Sequence, residues 1–164
     1  MNNSINSTSP NFGAKINLED VAHRFKNPNK VKAAFEKATE KYPNDIVDLY
    51  DHGDGSLSIV LTQTKEWQEK SLDLMPEGFK DLMKCPVKTF VNKMKKLTEV
   101  LEFGANRDNE ARKLIGELIE KGHIEEGSEL QDKLFDSSWE STVEMMKKML
   151  DKRGEKVLKD VKVD

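Results

Sequence analysis

The first candidates for transferring protons or attacking electrophiles in this sequence are His52, Asp54 and Cys85. His52 stands between Asp51 and Asp54, and a neighbouring carboxylate raises and orients an imidazole for acid–base work. Cys85 is the sole cysteine and precedes Pro86. A thiol becomes a nucleophile only beside a positioned base in an electropositive setting, and no histidine lies near Cys85 in sequence. An enzyme built on this chain would therefore have to assemble His52, Asp54 and Cys85 in three dimensions. A polar turn and a structural thiol need no such assembly, and they are the simpler expectation.

Further motifs narrow the chemistry. His23, His52 and His123 are widely separated, and no HExxH, CxxC, GxGxxG, GxxxxGK[ST] or GxSxG pattern occurs. The aspartates around Gly53 and Gly55 do not make a calcium loop. Placing Gly55 at the required glycine puts Tyr50 at the first ligand position and Leu61 at the last. No catalytic, cofactor-binding or metal-ligating residue is assigned, and no cofactor is expected. A lone cysteine excludes an internal disulfide.

The elements around these residues change character near residue 63. Ile46–Tyr50 and Leu57–Leu61 alternate as β-strands, and Gly53 and Gly55 between them suit a hairpin turn. Phe12, Ala14 and Ile16 alternate as well, which predicts a short strand at 12–17. Asn17 opens a helical stretch with Leu18, Val21, Ala22 and Phe25 on one face. Asn27-Pro28 starts another, with Val31, Ala34, Phe35, Ala38 and Tyr42 as its stripe and Pro43 as its stop. After Thr64 the spacing predicts helices only: one from Thr64 through Leu74, with Pro76 and Pro86 breaking the pattern into short helices, one after Pro86 to a stop at Gly104 and Asn106, one over 108–121 ended by Gly122, and one from Ser128 to about Leu150.

The fold expected is α+β. A β-hairpin or three-stranded antiparallel sheet packs on the helix at 28–42, followed by a mainly α-helical C-terminal bundle. The organisation expected is a disordered stretch at 1–11, an α/β head at 12–63, a helical region at 64–156 and a tail at 157–164, with 12–156 able to close as one globule. No segment has the apolar core of a signal peptide or the length of a membrane span, which predicts a soluble, cytoplasmic protein.

Charge is abundant, at 35% of the 164 residues, and unevenly placed. Residues 80–96 hold six lysines against Asp81, a net +5, while 97–140 hold twelve acids and five bases, a net −7. Such asymmetry steers partners or pairs helices. Residues 18–61, two helices and a hairpin, resemble the tail of a winged-helix domain, with Lys30, Lys32, Lys37 and Lys41 available to phosphates. The acidic hairpin loop and the missing first helix disfavour nucleic acid as the partner.

Residues 117–127, Glu-Leu-Ile-Glu-Lys-Gly-His-Ile-Glu-Glu-Gly, continue through Leu130 and Leu134 into an amphipathic helix. Over 107–156 this pattern resembles the charged helical hairpins of phasin-like regulators of polyhydroxyalkanoate synthesis. The chain departs from that pattern in lacking a Ser or Thr after the apolar residue and in its shorter connector. The resemblance implies oligomeric helices that bind a surface or a regulator, with no chemistry. Met145, Met146 and Met149 would give an adaptable apolar stripe, and Trp139 an anchor beside it. The function expected is a non-enzymatic interaction or regulatory protein that presents helical surface to a protein partner or to itself. An endogenous regulator and an inhibitor of another protein both fit.

Overall fold

The computed structural model describes residues 13–136 and 139–151, without the side chains of 139–141. The N-terminal stretch expected at 1–11 and the tail expected at 157–164 lie outside the described residues. The chain divides into two compact units, Met1–Ala105 and Asn106–Asp164.

The first unit is an α+β layer pair. Strand β1 (Lys15–Asn17) leads through a 3-10 turn (Glu19–Arg24) into helix α1 (Pro28–Ala38), then β2 (Asp45–Asp51), β3 (Leu57–Gln63), β4 (Gln68–Leu74) and helix α2 (Pro76–Lys84). Helix α3 (Val87–Glu120) follows and carries the boundary between the units. The strands pair in the order β1-β2-β3-β4. β2, β3 and β4 are antiparallel; β1 adds parallel to β2, pairing Ile16 with Val47. A parallel pair needs a crossover, and the 3-10 turn with α1 supplies it.

Local chemistry explains these elements. Asn27 caps α1 by accepting from the Lys30 backbone N–H at 3.2 Å, with Pro28 in the first turn. Gly53 and Gly55 both take positive φ in the β2–β3 turn. At the other end of α1, Thr39 Oγ1 donates to the Phe35 carbonyl at 2.7 Å and accepts from the Ala14 backbone N–H at 3.0 Å. The start of β1 is thereby stitched to the end of α1.

One face of the sheet, carrying Ile16, Val47, Leu49, Leu57, Ile59 and Leu61, is buried beneath Val21, Phe25, Val31, Phe35, Leu82, Phe90, Met94 and Leu101. Burying a side chain of this size stabilises by roughly 1.5–3 kcal/mol. Phe25 and Phe90 meet edge to face at 4.9 Å between centroids. Arg24 lies over both rings, at 4.7 and 5.4 Å. Its Nη1 donates to the Leu82 carbonyl at 3.2 Å and its Nη2 to the Cys85 carbonyl. One guanidinium thus ties the 3-10 turn to the last turn of α2, where carbonyls lack helical partners.

Two expectations are corrected here. Residues 68–74 form strand β4 where the spacing predicts a helix from Thr64 to Leu74. Thr64–Trp67 make a turn instead, with Trp67 at φ +49°. The expected stop at Gly104 is absent, and one helix of 34 residues spans Val87–Glu120. A Cβ at Gly104 would lie 3.0 Å from Cε of the flexible Lys70 side chain. The division between the two units falls after Ala105, within this helix.

The second unit is helical. Gly122, at φ +77°, ends α3 in a Schellman motif: Gly122 N–H donates to Ile119 O at 3.0 Å and His123 N–H to Leu118 O at 2.9 Å. Ser128 Oγ accepts from Gln131 N–H, and Gln131 Oε1 accepts from Gly127 N–H at 2.7 Å, which opens helix α4 (Glu129–Asp136). Helix α5 is Trp139–Leu150. The single helix expected from Ser128 to Leu150 is thus described in two stretches, 137–138 lying outside the described residues. Ala111, Ile115, Leu118, Ile124, Leu134, Val143, Met146 and Met149 form the core of this unit. Lys147 pairs with Glu110 at 2.7 Å on its surface.

Candidate functional site

The residues singled out for acid–base and nucleophilic chemistry are each engaged elsewhere. Asp54 accepts from the Ser56 hydroxyl at 2.6 Å and the Ser56 backbone N–H at 2.9 Å; these bonds, the hydroxyl first, hold its carboxyl below the usual range. Such bonds shape a turn. The half-buried Cys85 thiol donates to the Leu82 carbonyl at 3.3 Å, a structural contact.

His52 Nε2 lies 2.5 Å from Ser58 Oγ, and Ser58 Oγ donates to Asp73 Oδ1 at 2.5 Å. The three residues are those of a hydrolase triad, but the order is wrong. A hydroxyl has one hydrogen, and here Asp73 receives it. Ser58 must then accept from His52, whose Nε2 carries the proton and cannot act as base toward that serine. The chain of bonds ties the β2–β3 turn to β3 and β4 on the sheet face opposite the core. That face carries Ile46, Asp48, Tyr50, Ser58, Val60 and Thr62, none of them buried.

A second polar cluster lies inside the first unit. Glu102 is 4% exposed and accepts from Gln63 Nε2 at 3.2 Å. Burial, then a side-chain hydrogen bond to Asp45 and the charge of Asp45, push the Glu102 carboxyl up to about 8 from its ordinary 4.5, against the opposing effect of Gln63. Burial, followed by the charges of Glu102, Glu99 and Asp45, also raises the Tyr42 phenol. Buried carboxyl pairs of this kind occur in active sites. Here the adjoining pocket, about 190 Å³, is lined by Asp45 with Lys15, Pro43, Asn44, Ile46 and Thr64, and Glu102, Gln63 and Tyr42 do not border it. The cluster joins the start of β2 and the end of β3 to α3, and Glu102 stands outside the lining of that pocket. Among the described residues no group of three His, Cys, Asp or Glu side chains is placed to hold a metal ion.

The surface that stands out is helical and apolar. Between β4, α2 and α3 lies a pocket of about 320 Å³, floored by Leu74, Gly78, Leu82 and Leu97, with Lys93, Lys96 and Asp81 at its edge. Val100 and Phe103 continue from it along α3 and are 62% and 57% exposed; Met75, next to Leu74, is 69% exposed. Lys96, Val100 and Phe103 stand at i, i+4 and i+7, the spacing of one helix face.

The interaction candidates read from sequence fall elsewhere. Met146 and Met149 are fully buried in the second unit's core and Met145 is half-buried against it, so these methionines pack the unit from within. Trp139 begins α5, and its side chain lies outside the described residues. Sequence spacing misses Phe103 and groups Val100 with Val87, Phe90, Val91, Met94, Leu97 and Leu101 as one helical stripe. A helical wheel would have found both. At 3.6 residues per turn Phe103 stands about half a turn round from the buried Met94, and Val100 about a third.

No family model, curated protein or solved structure matches the chain. The resemblance of residues 107–156 to phasin-like regulators therefore rests on sequence pattern alone. No helix among the described residues is long and apolar enough to cross a membrane.

Proposed function

We propose that this chain is a non-enzymatic binding protein that presents the α2–α3 helical surface to a protein partner. The observation that carries this reading is the exposure of Val100, Phe103 and Met75 beside an apolar pocket on the same unit. Exposed apolar surface that is contiguous and rimmed by polar residues marks interaction sites, whereas scattered apolar residues do not. The nucleophile and base candidates add to it from the other side, since each is occupied in holding a turn or a helix junction.

Photo-crosslinking tests the reading. A photoreactive residue at Val100 is expected to trap a discrete protein in the native lysate. The same residue at Trp67, which is 79% exposed on the β3–β4 turn, is the control and is expected to trap none. Equal, diffuse labelling from both positions would contradict the proposal.

A further inference from the structure

The sheet ends in two unlike edges. β1, at one end, is three residues long. β4, at the other, is seven residues long, and among the described residues no strand pairs with its outer side. A free edge directs backbone N–H and C=O groups outward and is a template for another strand. The strand most often at hand is the same edge of a second copy. Two identical edges close a pair through a twofold axis, which sets them antiparallel.

We propose that Glu69 and Asp73 guard this edge, keeping β4 from pairing with β4 of a second copy. Glu69, Ser71 and Asp73 are exposed and share the sheet face opposite the core, where they pair with Thr62, Val60 and Ser58. Ser58 Oγ donates to Asp73 Oδ1, which holds that carboxylate on the open face. The antiparallel register that uses the whole of β4 is centred on Ser71. It sets Glu69 of each copy directly opposite Asp73 of the other, so the clash occurs twice. Like charges directly opposite one another destabilise a strand pair. A slip of two residues brings no relief. Centred on Lys70, the register opposes lysine to lysine. Centred on Leu72, it sets Lys70 against Leu74 and brings the two Asp73 carboxylates to diagonal positions. Both slipped registers also leave part of β4 unpaired. A slip of one residue turns Leu72 and Leu74, which pack against the core, toward the open face of the other copy. β1 needs no such guard, because a strand this short offers little to pair with. The β4 edge is separate from the exposed α3 face of Val100 and Phe103, and the guard stands whether or not that face binds a partner.

Charge reversal tests the guard. Glu69→Lys turns both repulsive contacts into attractive ones. The full chain is then expected to dimerise in sedimentation equilibrium, with a Kd about tenfold or more below that of wild type. Asp73→Lys reaches the same pairing from the other side and remains informative should the first variant fold poorly. Glu69→Lys/Asp73→Lys restores like charge and is expected to return association to the wild-type level. Ser71→Cys in a Cys85→Ala background locates the contact. Directly opposed residues lie within the Cα separation that a disulfide spans. A symmetric disulfide is therefore expected when Glu69→Lys is present and not in its absence. Wild-type sedimentation by both single reversals, or equal association by the double reversal, would overturn the proposal. So would a Glu69→Lys dimer that does not crosslink through position 71, or crosslinking there without any charge reversal.

Discussion

Gln63 Nε2 donates to Glu102 Oε1 at 3.2 Å inside the first unit, where Glu102 also shares a hydrogen bond with Asp45. A carboxyl held up to about 8 when folded and near 4.5 when free binds more protons in the folded state between those values. Stability from this site is therefore complete below about pH 4.5, declines as pH rises, and is gone above about pH 8. Glu102→Gln keeps an acceptor for Gln63 and a donor for Asp45 with no proton to lose. Denaturant unfolding at pH 5, 7 and 9 should show wild type weakening toward pH 9. The variant should hold level and exceed wild type there by about 1–3 kcal/mol. Parallel curves for the two proteins would remove Glu102 as the cause.

Arg24 is predicted to matter more than a surface arginine. Its guanidinium meets two carbonyls at the α2–α3 junction and covers the Phe25–Phe90 pair. Arg24→Ala should cost about 2–4 kcal/mol in denaturant unfolding, from two charge-assisted bonds and a cation–π contact. Arg24→Lys should recover less than half, because an ammonium cannot span both carbonyls in a fixed fork. Full recovery by lysine would reduce the role of Arg24 to its charge.

Gly13 is a steric requirement. A Cβ there would lie 1.9 Å from the Glu36 carbonyl oxygen and 2.6 Å from that of Thr39, which are backbone atoms that cannot swing aside. Gly13→Ala should pull β1 from the end of α1 and lower stability by about 3 kcal/mol or more, the range of severe backbone strain. Loss of amide protection at Ile16 and Val47 would locate the damage.

The legible parts of the fold were those with strong local chemistry. Asn27-Pro28 marked a helix start, Gly53 and Gly55 a hairpin, and Gly122 a helix stop, because each residue type satisfies a backbone need on its own. β4 was hidden because its turn relies on Trp67 at positive φ, a conformation that residue type does not advertise. Its inward positions also begin with Gln68 and Lys70, which blunts the alternation that Leu72 and Leu74 complete. Gly104 misled because glycine is tolerated inside a helix as well as at its stop, and here the helix runs on through it. The surface was half legible. Lysine clustering over 80–96 was plain in the sequence, but the pocket needs β4 in place before Leu74 can meet Leu82 and Leu97.

The binding reading is tested most directly by affinity capture from native lysate with wild type and with Val100→Glu/Phe103→Glu. Both substitutions fall on positions more than half exposed. Matched melting curves should accompany a loss of about tenfold or more in the captured partner. Undiminished capture by the double variant, or no specific protein captured by either chain, would contradict the account.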